Sequence, residues 1–464
     1  MGIRGGAATL SYPIWHLEVE SLLVLKNNRG VEDNRIRQLD YSVQINKLMY
    51  QRLIEDKDIT LLSPHSVEGL YDAYFNDQEL FEKLYLEAEN NPLIPKKTIK
   101  ATELFTLLMS ERANTGRIYI MNVDHSNTHS SFIEKEATIY ISNLCQEITL
   151  PTKPLNNILD EEGEIALCTL GALNLGMVDK DKLEDIEESM DLIVRALDSI
   201  LDYQNYPVKA ARNSVDKYRP LGIGVINYAY YLAKNGARYS NASGHKLTHE
   251  LFEAIQYYAL KSSVQLAKEK GKCGAFENTK YSKGILPIDT YKKSIDEFAS
   301  FDYRLDWESL RKDIVEYGLR NATLTSLMPS ESSSQVSNAT NGIDLPRGPI
   351  TVKASKDGIL KQVVPEYEKL AYDYEYLWYD SNNIGMLKLV AIMQKFVDQS
   401  ISTNTRYNPA NYTNSKVPMK EMLKELLLAY KYGVKTLYYH HTNDGSDDTQ
   451  DSLDDGCAGG ACKI

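Results

Sequence analysis

The sequence predicts an α/β protein, an α/β barrel or a wound sheet. Three observations lead there. Short apolar, strand-like pieces alternate with long amphipathic helical patterns along the chain. The 464 residues can bury a large core. No internal repeat is visible that would suggest a solenoid or a propeller.

The elements follow in order. Gly2 to Ala8 reads as a turn or a close backbone approach. Trp15, Val19, Leu22 and Leu23 recur at helical spacing up to Asn27-Asn28-Arg29-Gly30, and Ile45, Leu48, Met49 and Leu53 mark a second helix. Asp77 to Glu89 and Ala101 to Ala113 are two more, the latter stopped near Gly116; Arg117 to Val123 is a buried strand. His125 and His129 are four apart, but Asp124 to Ser131 has the composition of a loop, which gives no helical face for a metal. Asp160 to Glu164 is a polar turn, and Ile165 to Cys168 returns to apolar sequence. A long helix is expected over Leu183 to Tyr203, and a strand over Pro220 to Ile226. Asn227 stands where a dinucleotide fingerprint needs its third glycine, so Gly222 and Gly224 predict tight strand–helix packing instead. Helices are expected at Lys246–Lys270, Trp307–Leu319, Glu366–Trp378, Met386–Ile401 and Met419–Tyr432, with strands at Ala322–Met328 and Val434–Tyr439. Cys273 reads as an inert thiol.

Composition bounds the function. Lys+Arg 52 against Asp+Glu 64 gives a net charge of −12, with no basic stripe to release counterions from a nucleic acid. No apolar run reaches membrane-spanning length, and the start lacks the apolar core of a signal peptide. Five cysteines in so long a chain are too few for a disulfide scaffold and suggest a reducing, cytoplasmic compartment.

Three stretches carry chemistry. In Asn143-Leu144-Cys145-Gln146-Glu147 an extended backbone would set Asn143, Cys145 and Glu147 on one face and turn Leu144 and Gln146 away. That places a thiol, as nucleophile or as radical, between a hydrogen-bonding amide and a basic carboxylate. Next, Ala322–Met328 runs into Pro329-Ser330-Glu331-Ser332-Ser333-Ser334-Gln335, a strand followed by a hydroxyl-rich helix start suited to phosphate. Finally, from His440 the chain is polar, with six aspartates and one lysine, and ends in Cys457-Ala458-Gly459-Gly460-Ala461-Cys462-Lys463-Ile464. Such a segment cannot form a core and reads as a flexible acidic tail carrying a dithiol. A flexible chain from Tyr439 to Cys462 spans about 25–29 Å root-mean-square. The expected radius of gyration of the whole is about 23 Å, so the tail could reach a cleft.

Asn143 to Glu147, Leu150-Pro151-Thr152-Lys153-Pro154-Leu155, Pro329 to Gln335, Ala354-Ser355-Lys356-Asp357-Gly358, the Tyr438-Tyr439 pair and Cys457…Cys462 together resemble the large (alpha) subunit of aerobic class I ribonucleotide reductase. The resemblance runs nearly end to end, and the order of the motifs is far more specific than any one of them. It implies a ten-stranded α/β barrel with a finger loop around 143–147 in residues 1–440, and the redox tail at 441–464. It implies Cys145 as the thiyl radical that takes the ribose 3′ hydrogen, Glu147 as the base at the 3′ hydroxyl, and Asn143 on the sugar hydroxyls. Cys168 would be one member of the active-site dithiol. Asn143, Leu144, Cys145, Gln146, Glu147 and Pro329, Ser330, Glu331, Ser332, Ser333 would contact the ribonucleoside diphosphate. Tyr438 and Tyr439 would relay the radical from the diiron-tyrosyl site of the small (beta) subunit, which requires a local irregularity, since neighbours in a regular strand face opposite ways. Cys457 and Cys462 would re-reduce the site and be served by thioredoxin or glutaredoxin. No cofactor or metal is expected on this chain. The family's N-terminal helical domain, ATP cone, effector (ATP/dNTP) sites and first barrel strand, with the mate of Cys168, have no counterpart here. The expectation is therefore the C-terminal half of a split subunit, active with a separate N-terminal half; the alternative is an inactive fragment that binds or regulates a reductase.

Overall fold

The computed structural model describes residues 6–355, 358–379, 382–443 and 445. Its central sheet has four strands in the order Thr9–Pro13, Asp40–Ile45, Ile118–Asn122 and Thr436–Leu437. The first three run parallel and the last antiparallel, with Tyr41 opposite Ile118 and Leu437 opposite Ile120. Ile118–Asn122 is buried throughout, as an apolar strand covered on both faces should be. Asp40–Ile45 is also fully buried although polar residues alternate along it. Period two sends Tyr41, Val43 and Ile45 into the core and Asp40, Ser42 and Gln44 to the other face. There Ser42 Oγ donates to Gln146 Oε1 (3.0 Å) and Gln44 Nε2 to the Tyr140 carbonyl (2.6 Å).

A second parallel pair, Leu170–Asn174 with Gly222–Ile226, is extended by single bridges from Ile223 to Thr325 and from Leu327 to Ile401. Ser400 N then donates to the Glu147 carbonyl (2.9 Å), and Thr436 Oγ1 donates to the Ile401 carbonyl (2.9 Å), so hydrogen bonds lead back to the central sheet. The α/β class holds. Among the described residues, however, no closed ten-stranded sheet forms: the strands make one four-stranded sheet and four separate pairs. The expected strand at Ala322–Met328 contributes isolated bridges rather than a ladder.

The long helices lie where the periodicity put them, at Ile186–Tyr203, Ser243–Lys270, Trp307–Tyr317 and Met419–Lys431. Asn227 takes the left-handed conformation (φ 72°) between the Gly222–Ile226 strand and a short helix, and its Oδ1 accepts from Thr340 N (2.9 Å). This is the tight strand–helix junction expected there.

Several expectations are corrected. The first helix shrinks to Val19–Leu23. The expected Glu366–Trp378 helix is only Tyr367–Leu370 followed by turns. The Met386–Ile401 helix is Ile384–Gln394, because Asp398 and Ile401 are drawn into bonds with the 322–328 segment. Val123–Thr128 is helical, not a loop. Its two histidine rings meet backbone: His125 Nε2 the Tyr430 carbonyl (2.8 Å) and His129 Nε2 the Gln394 carbonyl (2.5 Å). His440–Thr442 is a strand paired with Thr405–Tyr407, so the folded body runs past residue 440. The tail dithiol Cys457/Cys462, Lys356-Asp357 and most of the glycine-rich opening lie outside the described residues.

Candidate active site

Residues 142–149 form a finger loop, closed by an antiparallel bridge between Ser142 and Thr149. The extended backbone expected for Asn143 to Glu147 is not found. Ile148 N donates to Asn143 Oδ1 (3.0 Å), Gln146 N donates to the Asn143 carbonyl (3.1 Å), and Gln146 has φ +70°. The left-handed conformation costs a side-chain-bearing residue about 1–2 kcal/mol. Its neighbours hold it there: Ser42 on the Gln146 amide oxygen, and Thr436 Oγ1 on its carbonyl (2.9 Å). Gln146 is thus a buried structural pin rather than a residue that merely faces away.

The turn sets the reactive groups together by curvature instead of alternation. Cys145 Sγ lies 3.5 Å from the Tyr438 hydroxyl, and Leu144 and Cys145 both pack against a cluster of Tyr119, Tyr438 and Tyr439. Glu147 is buried and accepts from Ser402 Oγ (3.1 Å), which also contacts the Cys145 carbonyl (2.5 Å). Asn143 lies close enough to the Glu147 carboxylate to favour its charged form against burial, and its Nδ2 lies 3.5 Å from Cys168 Sγ. Asn143, Cys145, Glu147, Cys168, Tyr438 and Tyr439 therefore share one site.

Burial and, secondarily, the Glu147 carboxylate push the Cys145 thiol up to about 12; Cys168, more exposed at the surface, is raised in the same direction. Burial raises Tyr438, Tyr439 and Glu147 as well. At neutral pH both sulfurs keep their hydrogens. A thiolate nucleophile is disfavoured here, whereas an S–H facing an O–H is arranged for hydrogen-atom exchange.

The tyrosine pair departs from strand geometry. The strand stops at Leu437 and the next begins at His440; between them the rings of Tyr438 and Tyr439 lie 3.9 Å apart, centroid to centroid, at 33°. The central-sheet register would carry on to set Tyr439 opposite Ile118. Instead Tyr438 N donates to the Thr403 carbonyl (2.7 Å) and Tyr439 N to Asn404 Oδ1 (3.1 Å). The buried Arg112 guanidinium supplies donors in place of the lost ladder, to the carbonyls of Ile118, Tyr438 (2.6 Å) and Tyr439 (3.3 Å). Arg117 lies over the Tyr439 ring at 5.5 Å.

Pro329 leads into a six-residue helix, Glu331–Val336, two residues after Leu327 bridges to the segment carrying Ser402. Ser330 is its N-cap, Ser332 and Ser333 are exposed, and Ser334 Oγ bonds back to the Ser330 carbonyl (2.5 Å). Sequence reasoning missed Arg112, Tyr119, Ser402 and Asn404. The last two had a signal, the polar run Gln399 to Thr405 directly after an apolar helix; Arg112 had none. Among the described residues no group of three or more His, Cys, Asp or Glu could hold a metal.

The family described as "ribonucleotide reductase, barrel domain" matches residues 1–375 and 364–440. The chain belongs to this ribonucleotide reductase family. Among its relatives, the ribonucleoside-diphosphate reductase subunit alpha of Haemophilus influenzae is 66% identical over 463 residues, which is 100% of this chain and 61% of the relative. Ribonucleoside-diphosphate reductase 1 subunit alpha of Escherichia coli is 62% identical over 468 residues, and the subunit alpha of Enterobacteria phage T4 is 51% identical over 470, with the same coverage. This member of the reductase family thus spans 61% of the length of the curated relatives it matches. No helix among its described residues is long and apolar enough to cross a membrane.

Proposed function

We propose that this chain is the catalytic barrel portion of a ribonucleoside-diphosphate reductase, working with polypeptide equivalent to the rest of its relatives' length and with a small subunit. The observation that carries the reading is the Cys145 thiol, held as S–H, 3.5 Å from the Tyr438 hydroxyl and beside a buried carboxylate. The small subunit's diiron-tyrosyl site would supply the oxidising equivalent. A Tyr438 phenoxyl, reached through Tyr439, takes the hydrogen atom of Cys145, and the resulting thiyl takes the 3′ hydrogen of the ribose. Glu147 accepts the 3′-hydroxyl proton while Asn143 holds the sugar hydroxyls. The 2′ hydroxyl leaves as water, taking up a proton; Cys168 and a mate on the remaining polypeptide give two electrons and become a disulfide. Cys145 then returns the hydrogen to C3′ and recovers its own from Tyr438. Pro329 to Ser333 hold the diphosphate, and Cys457 and Cys462 re-reduce Cys168 and its mate, themselves reduced by thioredoxin or glutaredoxin.

The same reading completes the sheet into a ten-stranded barrel. Among the described residues Thr9–Pro13 has a neighbour on one side only, an edge that an added strand would cover. ATP and dNTP effectors belong to the remaining polypeptide, whether it is joined to this chain or separate.

The test is reduction of ribonucleoside diphosphates by this chain combined with that polypeptide and the small subunit. Wild type turns over, and Cys145→Ala does not. Turnover by Cys145→Ala overturns the radical role. Absence of product in every combination, with the small subunit still bound, would favour a binding or regulatory fragment.

A further inference from the structure

We propose that a basic cavity at the foot of the tyrosine-bearing strand binds a small, multiply charged oxyanion of the phosphate type. The cavity, of about 190 Å³, lies between the Val123–Thr128 helix, residues 290–295, the end of the Ile384–Gln394 helix and the turn at Tyr432-Gly433. It shares no lining residue with the finger loop or with Pro329–Ser333. His125, His129, Lys292 and Lys395 line it, and no Asp or Glu does. In a chain of net charge −12, two lysines beside two neutral, buried histidines, with no carboxylate in the lining, run against the average.

Neither lysine is ion-paired: among the described residues neither Lys292 nor Lys395 has a carboxylate within ion-pair distance. Lys395 is 2% exposed, and its Nζ meets only neutral partners: His249 Nε2 at 3.1 Å and the faces of Tyr291 and Tyr303 at 4.5 and 4.7 Å. The nearby carboxylates are engaged elsewhere. Asp296 accepts from the Tyr291 hydroxyl (2.8 Å), and Glu253 from the Arg304 and Leu305 amides and Trp307 Nε1. Lys395 is pushed down to about 8, chiefly by burial, and His125 is lowered by burial and then by Lys292 and Lys435 despite the opposing Asp124. Asp296 and Glu253 compensate Lys395 only from a distance, and a bound anion would add charge-assisted contacts at the cavity itself.

Size selects the ligand. Pockets for drug-sized molecules run to about 300–1,000 Å³, so a nucleotide is too large here and a small oxyanion is not. The position has a consequence. A side chain at Gly433 (φ +77°) would put its Cβ 2.7 Å from Lys292 Cβ, so the Lys292 segment is seated directly on the turn that leads into Val434–Tyr438. An anion held by Lys292 and Lys395 would tie that turn to the neighbouring helix end.

The probe is inorganic phosphate, titrated calorimetrically into the chain at constant ionic strength balanced with chloride, with thermal unfolding in parallel. A saturable site that the lysine variants weaken, and a rise in Tm with phosphate but not chloride, are expected. Lys292→Met, at an exposed position that should not disturb folding, weakens binding by at least about tenfold, the equivalent of one charge-assisted hydrogen bond. Lys395→Met does the same, and Lys312→Met, at an exposed lysine outside the cavity, changes nothing. Pyrophosphate and malonate arms separate phosphate chemistry from carboxylate chemistry. Absence of saturable binding, an unchanged affinity in Lys292→Met, an equal loss in Lys312→Met, or equal affinity for malonate each overturns the proposal.

Discussion

Arg112 makes the most demanding prediction. Its side chain is fully buried and donates to the carbonyls of Ile118, Tyr438 and Tyr439 and to Thr405 Oγ1 (3.1 Å). Burial lowers it to about 10, which leaves it charged at neutral pH. In Arg112→Met the apolar stem is kept and the donors vanish. The Tyr439 carbonyl retains Thr405 N (3.0 Å), and Thr405 Oγ1 retains His440 Nδ1 (2.8 Å). The acceptors stranded are those of Ile118 and Tyr438, at about 1–3 kcal/mol each. Relief from burying a guanidinium offsets part of that sum. The expected loss is about 2–4 kcal/mol, a large share of the 5–15 kcal/mol typical of a folded domain. Urea unfolding should show the midpoint falling at unchanged slope. Radical transfer, read by electron paramagnetic resonance in the reconstituted enzyme, should fall further than substrate affinity, because the freed Tyr438 carbonyl no longer fixes the ring stack. A loss below about 1 kcal/mol with radical transfer intact would refute the view that one guanidinium replaces the missing strand pairing.

Other outcomes follow from the same geometry. Tyr438→Phe removes the hydroxyl 3.5 Å from Cys145 and keeps the ring, so turnover should be lost with Tm within a few degrees of wild type; retained turnover would count against the relay. Gly224→Ala would put its Cβ 2.8 Å from the Ser326 carbonyl and 2.6 Å from Met328 Sδ, which predicts a loss of about 1–3 kcal/mol by overpacking, measured by thermal unfolding. Buried Lys435 is lowered to about 7, first by burial. The unfolded chain, with an ordinary lysine near 10.4, then binds the extra proton between about pH 7 and 10, so stability should rise with pH across that window. Urea midpoints at pH 7 and 9.5 test the sign, and Lys435→Met should flatten the slope.

The long helices were legible because one stripe of each is apolar over several turns, as in Met190, Val194, Leu197 and Leu201. Asp40–Ile45 was not, since Asp40, Ser42 and Gln44 interrupt its apolar character. They are buried with partners distant in sequence, Asp40 with Lys26 (2.8 Å) and the Tyr119 hydroxyl (2.7 Å). Polar residues satisfied by tertiary contacts look like loop when read locally. The finger loop shows the same limit. Asn143, Cys145, Cys168, Glu147 and the tyrosines could be picked out by type and order, but the turn depends on a left-handed glutamine whose support comes from Ser42 and Thr436. Alternation grouped residues that the turn does bring together, but for a wrong geometric reason. The helix over-extended to Ile401 failed similarly: Asp398 accepts from the Leu324 and Thr325 amides (3.0 Å each), bonds that no local pattern reveals.

The finger loop's supports also set when the site can exist. Its anchors lie 104 residues away at Ser42, 257 at Ser402 measured from Cys145, 290 at Thr436, and 293 at Tyr438. Loop-closure entropy delays contacts of such separation in folding. During synthesis Cys145 emerges 293 residues before Tyr438. A nascent chain between those points carries the thiol without the hydroxyl that faces it. On the proposed function, this late assembly would act as a safeguard, keeping a strongly oxidising pathway away from an unfinished protein.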